Sequence, residues 1–168
     1  MIHIFAILSV ALASKWADCD FENDINPGPY GPPLMLNTTV NGSVLYGLIP
    51  QGDGPFPLVG FNHGSTGQWG MYDDSLKLWA SHGFIIVFPF IKSPDYDKHF
   101  WATNTDGKYL VQAIDWATAQ NEVEGSELFG MVDTKNIVFS GHSMGATCSI
   151  NGSFSQLDIN PNIKLTVA

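Results

Sequence analysis

Apolar residues recur along the chain at two alternating spacings, one typical of strands and one typical of helices. Short apolar runs bounded by Gly, Pro, Asn or Asp predict strands in five places: Thr38–Ile49, Phe56–Phe61, Gly83–Phe90, Ile137–Phe139 and Asn162–Val167. The first segment contains the turn sequence Asn41-Gly42 and is predicted to be a hairpin. The run from Phe84 to Phe88 has no polar residue, as expected for a strand buried on both faces of a parallel sheet.

Helical spacing occurs between these runs. The segment Tyr72–His82 is followed by the stop signal Gly83, and a second helix has its apolar stripe at Leu110, Ala113, Ile114 and Ala117. Strands that alternate with helices in this way predict an α/β fold with a largely parallel sheet.

Length and composition favour one globular domain without a membrane span. The chain has 168 residues, of which 45% are hydrophobic, and no apolar run reaches the roughly 18 residues that would cross a bilayer. The mostly apolar segment 2–13 ends in Ala-Leu-Ala, which predicts a secretory signal peptide over residues 1–13. Because this segment lacks an early Lys or Arg, a buried N-terminal helix is the alternative. Residues 14–36 are then an extended arm, and residues 37–168 form the α/β domain.

Further features bear on an extracellular location. Asn37 and Asn41 begin sequons and are predicted surface glycosylation sites, whereas Asn151 begins a third sequon that we expect to be too buried for modification. Cys148 is expected to be a buried thiol rather than the disulfide partner of Cys19.

The net charge of −9 argues against two classes of partner. Nucleic acid and anionic membrane both require a basic surface, and seven Lys and Arg residues do not provide one. The charge is explained by solubility alone. We expect no cofactor and no metal.

The chemistry of the chain centres on Gly141-His142-Ser143-Met144-Gly145, which fits the Gly-x-Ser-x-Gly nucleophile elbow. In that motif a serine occupies a strained turn between a buried strand and a helix. Small residues are needed at Gly141 and Gly145 because the turn is packed tightly between the two elements. The apolar run before Ser143 and the proline-free segment after it agree with this geometry. Ser143 is therefore the candidate nucleophile.

With these residues in place, the chain resembles the α/β-hydrolase superfamily, and within it the polyester-hydrolase and cutinase-like branch together with the chlorophyllases. Residues 80–84 (ASHGF) are similar to both groups, residues 132–134 (VDT) with the elbow to the polyester hydrolases, and His63-Gly64 to the chlorophyllases. The resemblance covers about residues 38–168. It implies a mostly parallel sheet with flanking helices, of which this chain holds the N-terminal part.

The resemblance also implies an ester substrate and an oxyanion hole formed by the backbone N–H groups of Ser65 and Met144. The chain departs from the polyester hydrolases at Ser65, where those enzymes tend to carry an aromatic residue that walls the substrate cleft. Trp69 and Tyr72 offer aromatic surface nearby, although ordinary packing is the favoured interpretation of both.

A general base is the missing component, since this fold orders its triad as Ser, then Asp or Glu, then His. No histidine follows Ser143, and the acid Asp158 is interpreted as a solvated loop residue. Upstream, only His99 has no better structural role, and its position breaks the order of the fold. We therefore expect a C-terminally truncated chain with feeble activity or none.

Three functions remain open at this point. The leading hypothesis is the N-terminal part of a secreted serine ester hydrolase that forms an acyl-enzyme at Ser143. A non-catalytic, hydrolase-like binding protein is the second. A serine peptidase of the same fold is the third, because the elbow is common to esterases and peptidases.

Overall fold

The computed structural model of the protein describes residues 26–91, 106–156 and 160–167. The predicted signal peptide, most of the predicted arm, the segment with His99, and Asp158 lie outside these ranges. Within them, no helix is both long enough and apolar enough to cross a membrane.

The described residues form a mixed, mostly parallel six-stranded sheet in the order β1-β2-β4-β3-β5-β6. Its strands are β1 (Leu34–Val40), β2 (Ser43–Ile49), β3 (Phe56–Asn62), β4 (Ile85–Phe90), β5 (Val132–Gly141) and β6 (Ile163–Val167). Strands β4, β3, β5 and β6 pair in parallel, whereas β1 and β2 are antiparallel to their neighbours. The helices are α1 (Asp73–Ser81), α2 (Lys108–Gln120) and α3 (Met144–Gln156). The predicted α/β fold is confirmed.

The connections after β3 and β4 run in opposite directions along the sheet, because β3 lies between β4 and β5. Parallel crossovers are right-handed, so this reversal places α1 and α2 on opposite faces. Leu76 and Ala80 of α1 pack on one face with Val59 of β3, while the predicted stripe of α2 is fully buried on the other face with Leu58. Helices therefore cover both faces of the sheet, and the direction in which successive strands are added reverses at β3.

The hairpin of β1 and β2 follows from its turn sequence. Asn41 and Gly42 both have positive φ angles, 48° and 82°. A two-residue turn with this backbone matches the twist of the strands that it joins. The predicted hairpin is confirmed, and its first strand begins at Leu34, inside the range predicted as the arm.

The end of the predicted arm is anchored to α1. The N–H of Gly28 donates to Ser81 Oγ at 2.8 Å, and the N–H of Tyr30 donates to the Ser81 carbonyl at 3.0 Å. The Tyr30 ring also meets Phe56 edge to face, with ring centroids 4.9 Å apart. These contacts hold residues 28–30 against the end of the sheet where β3 and β4 begin.

One strand boundary differs from the prediction. Phe84 was expected inside a doubly buried strand, but β4 begins at Ile85 and Phe84 is 37% exposed. The reason is Gly83, whose φ of 94° ends the turn after α1 and delays the strand. From Ile85 to Pro89 every residue of β4 is buried, as expected.

Candidate active site

Ser143 lies at the sharp turn between β5 and α3. Its φ angle is 57°, in the left-handed region that a residue with a Cβ rarely adopts. The residue is exposed, and α3 begins immediately after it at Met144. A strained backbone angle of this kind persists only where the surrounding structure enforces it. A positive φ at the serine is also the backbone geometry of a nucleophile elbow.

Two glycines make this turn possible by allowing close contacts between backbones. A Cβ on Gly141 would lie 2.9 Å from the nitrogen of Ala146 and closer still to the carbonyl of Gly145. A Cβ on Gly145 would lie 2.6 Å from the carbonyl oxygen of His63 and closer to that of Asn62. Both neighbours are backbone atoms that cannot move aside, so the elbow requires glycine at each position.

The strand pairing brings a second loop to the elbow. Strands β3 and β5 run in parallel until Asn62 stands opposite Gly141, and the N–H of His142 donates to the Asn62 carbonyl at 3.1 Å. The loop that follows β3 then passes directly beside the serine, because a Cβ built on Gly64 would lie 3.3 Å from Ser143 Cβ. The carboxyl ends of neighbouring parallel strands thus place both segments at one edge of the sheet.

This loop closes as a tight turn between Gly64 and Gly67. The N–H of Gly67 donates to the Gly64 carbonyl at 2.9 Å, and Thr66 has a φ angle of 65°. Positive φ at the third residue is the mark of a type II turn, where Gly or Asn is usual and a β-branched residue is strained. The loop beside Ser143 is therefore strained as well, at Thr66.

The backbone N–H groups of Ser65 and Met144 have no acceptor within the described part of the chain. The turn uses the N–H of Gly67 and leaves that of Ser65 available, while Met144 is the first residue of α3 and has no earlier helical turn to bond. These are the two groups that the sequence predicts as oxyanion donors, and that role remains a prediction.

His63 is a structural residue of this loop. Its Nδ1 donates to the Gly64 carbonyl at 2.7 Å, and its Nε2 accepts the Ile91 N–H at 3.1 Å. Since an acceptor nitrogen carries no proton, the imidazole is neutral. The ring is 3% exposed, and this burial lowers the pKa of His63 below its ordinary value. His63 therefore ties the end of β3 to the end of β4 and has no nitrogen left for Ser143.

The two aromatic residues near the loop differ in what they contact. Trp69 stacks on Tyr46, with ring centroids 5.1 Å apart, as expected for ordinary packing. Tyr72 packs on Phe61, but its hydroxyl also accepts the Gly64 N–H at 3.0 Å and lies 3.0 Å from His142 Nδ1. Packing alone does not account for Tyr72, and nothing in the sequence pattern indicates these hydrogen bonds.

No histidine among residues 26–91, 106–156 and 160–167 is hydrogen-bonded to Ser143. His142 shares its Nδ1 with Tyr72. His82 follows α1 at the opposite end of the sheet, where its Nε2 lies 2.9 Å from the Asn26 carbonyl. The structure therefore assembles the serine and the adjoining loop without a general base in the described ranges.

The sequence places Asn62 in the loop after β3 but does not predict the burial of its amide. Its side chain is 1% exposed, and neither its amide nitrogen nor its amide oxygen has a hydrogen-bond partner in the described structure. Buried amide groups are normally hydrogen-bonded, so an unpartnered amide is unusual. Asn62 stands at the last position of β3, directly before the loop that borders Ser143.

The predicted glycosylation sites lie outside the elbow and the loop that follows β3. Asn37 and Asn41 are exposed on the hairpin, as expected for surface positions, and their glycosylation remains a prediction. Asn151 was predicted to be buried, which is wrong, because it is exposed on α3. The third residue of its sequon, Ser153, is buried and donates to the Ile150 carbonyl at 2.9 Å.

Cys148 is buried on α3, and its burial raises the pKa of its thiol to about 11. Its pairing with Cys19 remains untested, since Cys19 lies outside the described residues. Within the described part of the chain, no three His, Cys, Asp or Glu side chains come close enough together to hold a metal ion.

Comparison with known proteins agrees with the geometry of the site. The chlorophyllase family model matches residues 36–166, which is most of the chain and includes both Ser143 and the loop beside it. A comparison with curated proteins finds none that matches. The family match supports the α/β-hydrolase fold and an ester as the class of substrate. The chain belongs to the chlorophyllase family.

Proposed function

We propose that this protein is a serine ester hydrolase in which Ser143 is the nucleophile and the N–H groups of Ser65 and Met144 form the oxyanion hole. The observation that carries the proposal is the exposed serine held at a φ of 57° directly beside Gly64. Family membership adds the ester substrate class.

The proposed reaction begins when Ser143 Oγ attacks the ester carbonyl carbon and loses its proton to a general base. The carbonyl oxygen becomes negative, and two backbone donors stabilise it more strongly than they stabilise the neutral ester. The N-terminal end of the α3 dipole, which begins at Met144, adds to this stabilisation. The alcohol then leaves with a proton, and water hydrolyses the acyl-serine to release the acid and restore Ser143.

None of the histidines in the described ranges is proposed as the general base, since His63 uses both ring nitrogens, His82 lies at the far end of the sheet and His142 Nδ1 contacts the Tyr72 hydroxyl. Without a base, a serine hydrolase retains roughly 10³ to 10⁴-fold acceleration over water from its oxyanion hole and binding, so the 168-residue chain is proposed to act feebly.

We also propose that the protein is secreted. The signal-like segment 1–13 supports this location, as do the sequons at Asn37 and Asn41, both of which are exposed in the structure.

Ester turnover tests the proposed activity. The full natural open reading frame and the 168-residue chain should be compared on a short-chain p-nitrophenyl ester and on a peptide anilide. We expect ester hydrolysis with a burst of p-nitrophenol, weaker in the short chain and abolished by Ser143→Ala. Ser155→Ala is the matched control, since Ser155 is an exposed serine elsewhere on α3. Peptide hydrolysis without ester preference would contradict the proposal in favour of a peptidase.

A non-catalytic binding role is the second candidate, and a surface feature favours it. The apolar residues Ile150 and Phe154 of α3 and Leu165 and Val167 of β6 are exposed. Strand β6 is the last strand in the described sheet and pairs only with β5 there. If the full open reading frame gives no burst and no turnover with any ester, this second candidate replaces the first.

A further inference from the structure

We propose that Tyr72 is a positioning residue for the ester-cleaving reaction, because its hydroxyl locks the loop beside Ser143 to the elbow itself. The inference rests on the proposed function and adds a residue to it. Tyr72 would contact neither substrate nor reacting atoms. It would fix the distance between the oxyanion donors and the nucleophile.

The hydroxyl joins two segments that are far apart in sequence. It accepts the Gly64 N–H at 3.0 Å and lies 3.0 Å from His142 Nδ1. Gly64 directly precedes Ser65, and His142 directly precedes Ser143. One oxygen atom is therefore a single residue away from a proposed oxyanion donor on one side and from the nucleophile on the other.

The two contacts also fit together chemically. Because the Gly64 N–H occupies an acceptor site of the Tyr72 oxygen, the phenolic hydrogen is available to His142. A His142 ring that carries its proton on Nε2 then accepts this hydrogen at Nδ1. All three groups are satisfied at once, and the loop and elbow are joined by a short hydrogen-bonded chain.

The Tyr72 ring is held in place by packing and by its backbone, so its hydroxyl can fix the loop relative to the elbow. It contacts the ring of Phe61 at 5.1 Å between centroids and that of Phe88 at 5.8 Å. Its carbonyl accepts the Leu76 N–H at 2.9 Å, which ties its backbone to the first turn of α1. A side chain that is packed and bonded at both ends loses little further freedom when the reaction begins.

The loop has a glycine at the position where this hydroxyl approaches it. A Cβ on Gly67 would lie 2.9 Å from Tyr72 Oη, so a larger residue there would push the hydroxyl away. Gly67 also donates the hydrogen bond that closes the turn. The turn is therefore shaped around the tyrosine oxygen as well as around Ser143.

Removing the oxygen alone tests the inference. In Tyr72→Phe the ring keeps its packing, but the Gly64 N–H loses its acceptor and the loop is released from His142. A shift of about 1 Å in catalytic groups reduces rate by as much as 10²-fold. We expect kcat to fall about 10- to 100-fold with KM changed less than threefold, because the donors act on the transition state and not on the bound ester.

The experiment uses the full natural open reading frame, with kcat and KM for a p-nitrophenyl ester and the rate of fluorophosphonate labelling as readouts. Tyr46→Phe is the matched control, since Tyr46 stacks on Trp69 in the same aromatic cluster and its hydroxyl has no hydrogen bond within the described structure. His142→Ala and the double variant with Tyr72→Phe complete a cycle. Two single losses that fail to multiply in the double variant would support a shared hydrogen-bonded unit.

The possible outcomes separate the two proposals. If the parent protein is active and Tyr72→Phe matches Tyr46→Phe in kcat, the positioning role is wrong while the proposed function stands. A fall in kcat accompanied by an equal loss in Tyr46→Phe would also overturn it, as that result would indicate general loosening of the cluster. If the parent protein neither turns over esters nor labels at Ser143, both proposals fail together.

Discussion

Replacing His63 with leucine should destabilise the protein strongly, since this histidine joins two strand ends through buried hydrogen bonds. In His63→Leu the Gly64 carbonyl and the Ile91 N–H both lose their partners. Gly64 is buried and Ile91 is 8% exposed, so water cannot fully replace the lost bonds. The ring also loses its stacking on Phe88, where the centroids are 5.7 Å apart.

The expected loss follows from these contacts. Leaving a buried polar group without a partner costs about 1–3 kcal/mol, and an aromatic contact adds about 0.5–1.5 kcal/mol. Two orphaned groups and one lost contact therefore give an expected loss of about 2.5–7.5 kcal/mol, which is a large part of the 5–15 kcal/mol typical of a domain.

Urea unfolding followed by tryptophan fluorescence measures this loss. His82→Leu is the matched control, because His82 is exposed and its ring makes one hydrogen bond within the described residues, to the Asn26 carbonyl. We expect the control to change the free energy of unfolding by about 0.5 kcal/mol or less, as is usual for surface substitutions. A loss below about 1 kcal/mol in His63→Leu, or an equal loss in both variants, would refute the structural role of His63.

The same variant should change how stability depends on pH. Burial lowers the pKa of His63 below 6.5, so the unfolded chain binds a proton more readily than the folded chain. The contribution of neutral His63 is thus fully present above pH 6.5 and is lost as the pH falls from 6.5 toward the folded pKa. Wild type should lose up to about 1.4 kcal/mol more per pH unit than His63→Leu in this window. Identical slopes would show that folding does not lower the pKa of His63.

Two further predictions concern the elbow and the helix that follows it. Gly145→Ala places a Cβ 2.6 Å from the His63 carbonyl oxygen, so the rate at which a fluorophosphonate labels Ser143 should fall at least about tenfold. In the control Gly70→Ala the new Cβ has nothing within 4 Å, so Ser143 should be labelled at the normal rate. Equal labelling of the two variants would contradict the packing described for the elbow. Cys148 is 1% exposed, and the pKa of its thiol is raised to about 11. Iodoacetamide at pH 8 should therefore alkylate the Cys148 thiol only after the protein has been unfolded in guanidinium. Rapid alkylation of Cys148 in the native protein would contradict its burial.

The sequence was sufficient to predict the fold because the relevant signals are local. The stripe Leu110, Ala113, Ile114 and Ala117 has the period of a helix, and all four residues are buried. The Asn41-Gly42 turn fixes the hairpin by backbone geometry alone. The strand, turn and helix around Ser143 could likewise be predicted, because the Gly-x-Ser-x-Gly motif occurs in a strand–turn–helix segment.

The features that the sequence did not reveal depend on tertiary contacts. Tyr72 reaches His142 across 70 positions, and a helical pattern indicates only that the tyrosine is partly buried. The unpartnered amide of Asn62 is equally invisible, because an asparagine at a strand end usually finds a partner in the next loop. Asn151 was misjudged because α3 is rich in small residues, whose pattern gives little indication of which face is buried.

Ser143 is proposed to be the nucleophile of an ester hydrolase, and the site of a covalent adduct is the sharpest test of this role. The full natural open reading frame should be treated with a fluorophosphonate, digested, and mapped by mass spectrometry beside its Ser143→Ala and Ser155→Ala variants. We expect one phosphonylated residue, Ser143, with labelling lost in Ser143→Ala and retained in Ser155→Ala. An unmodified Ser143 under conditions that fully label a control esterase would contradict it.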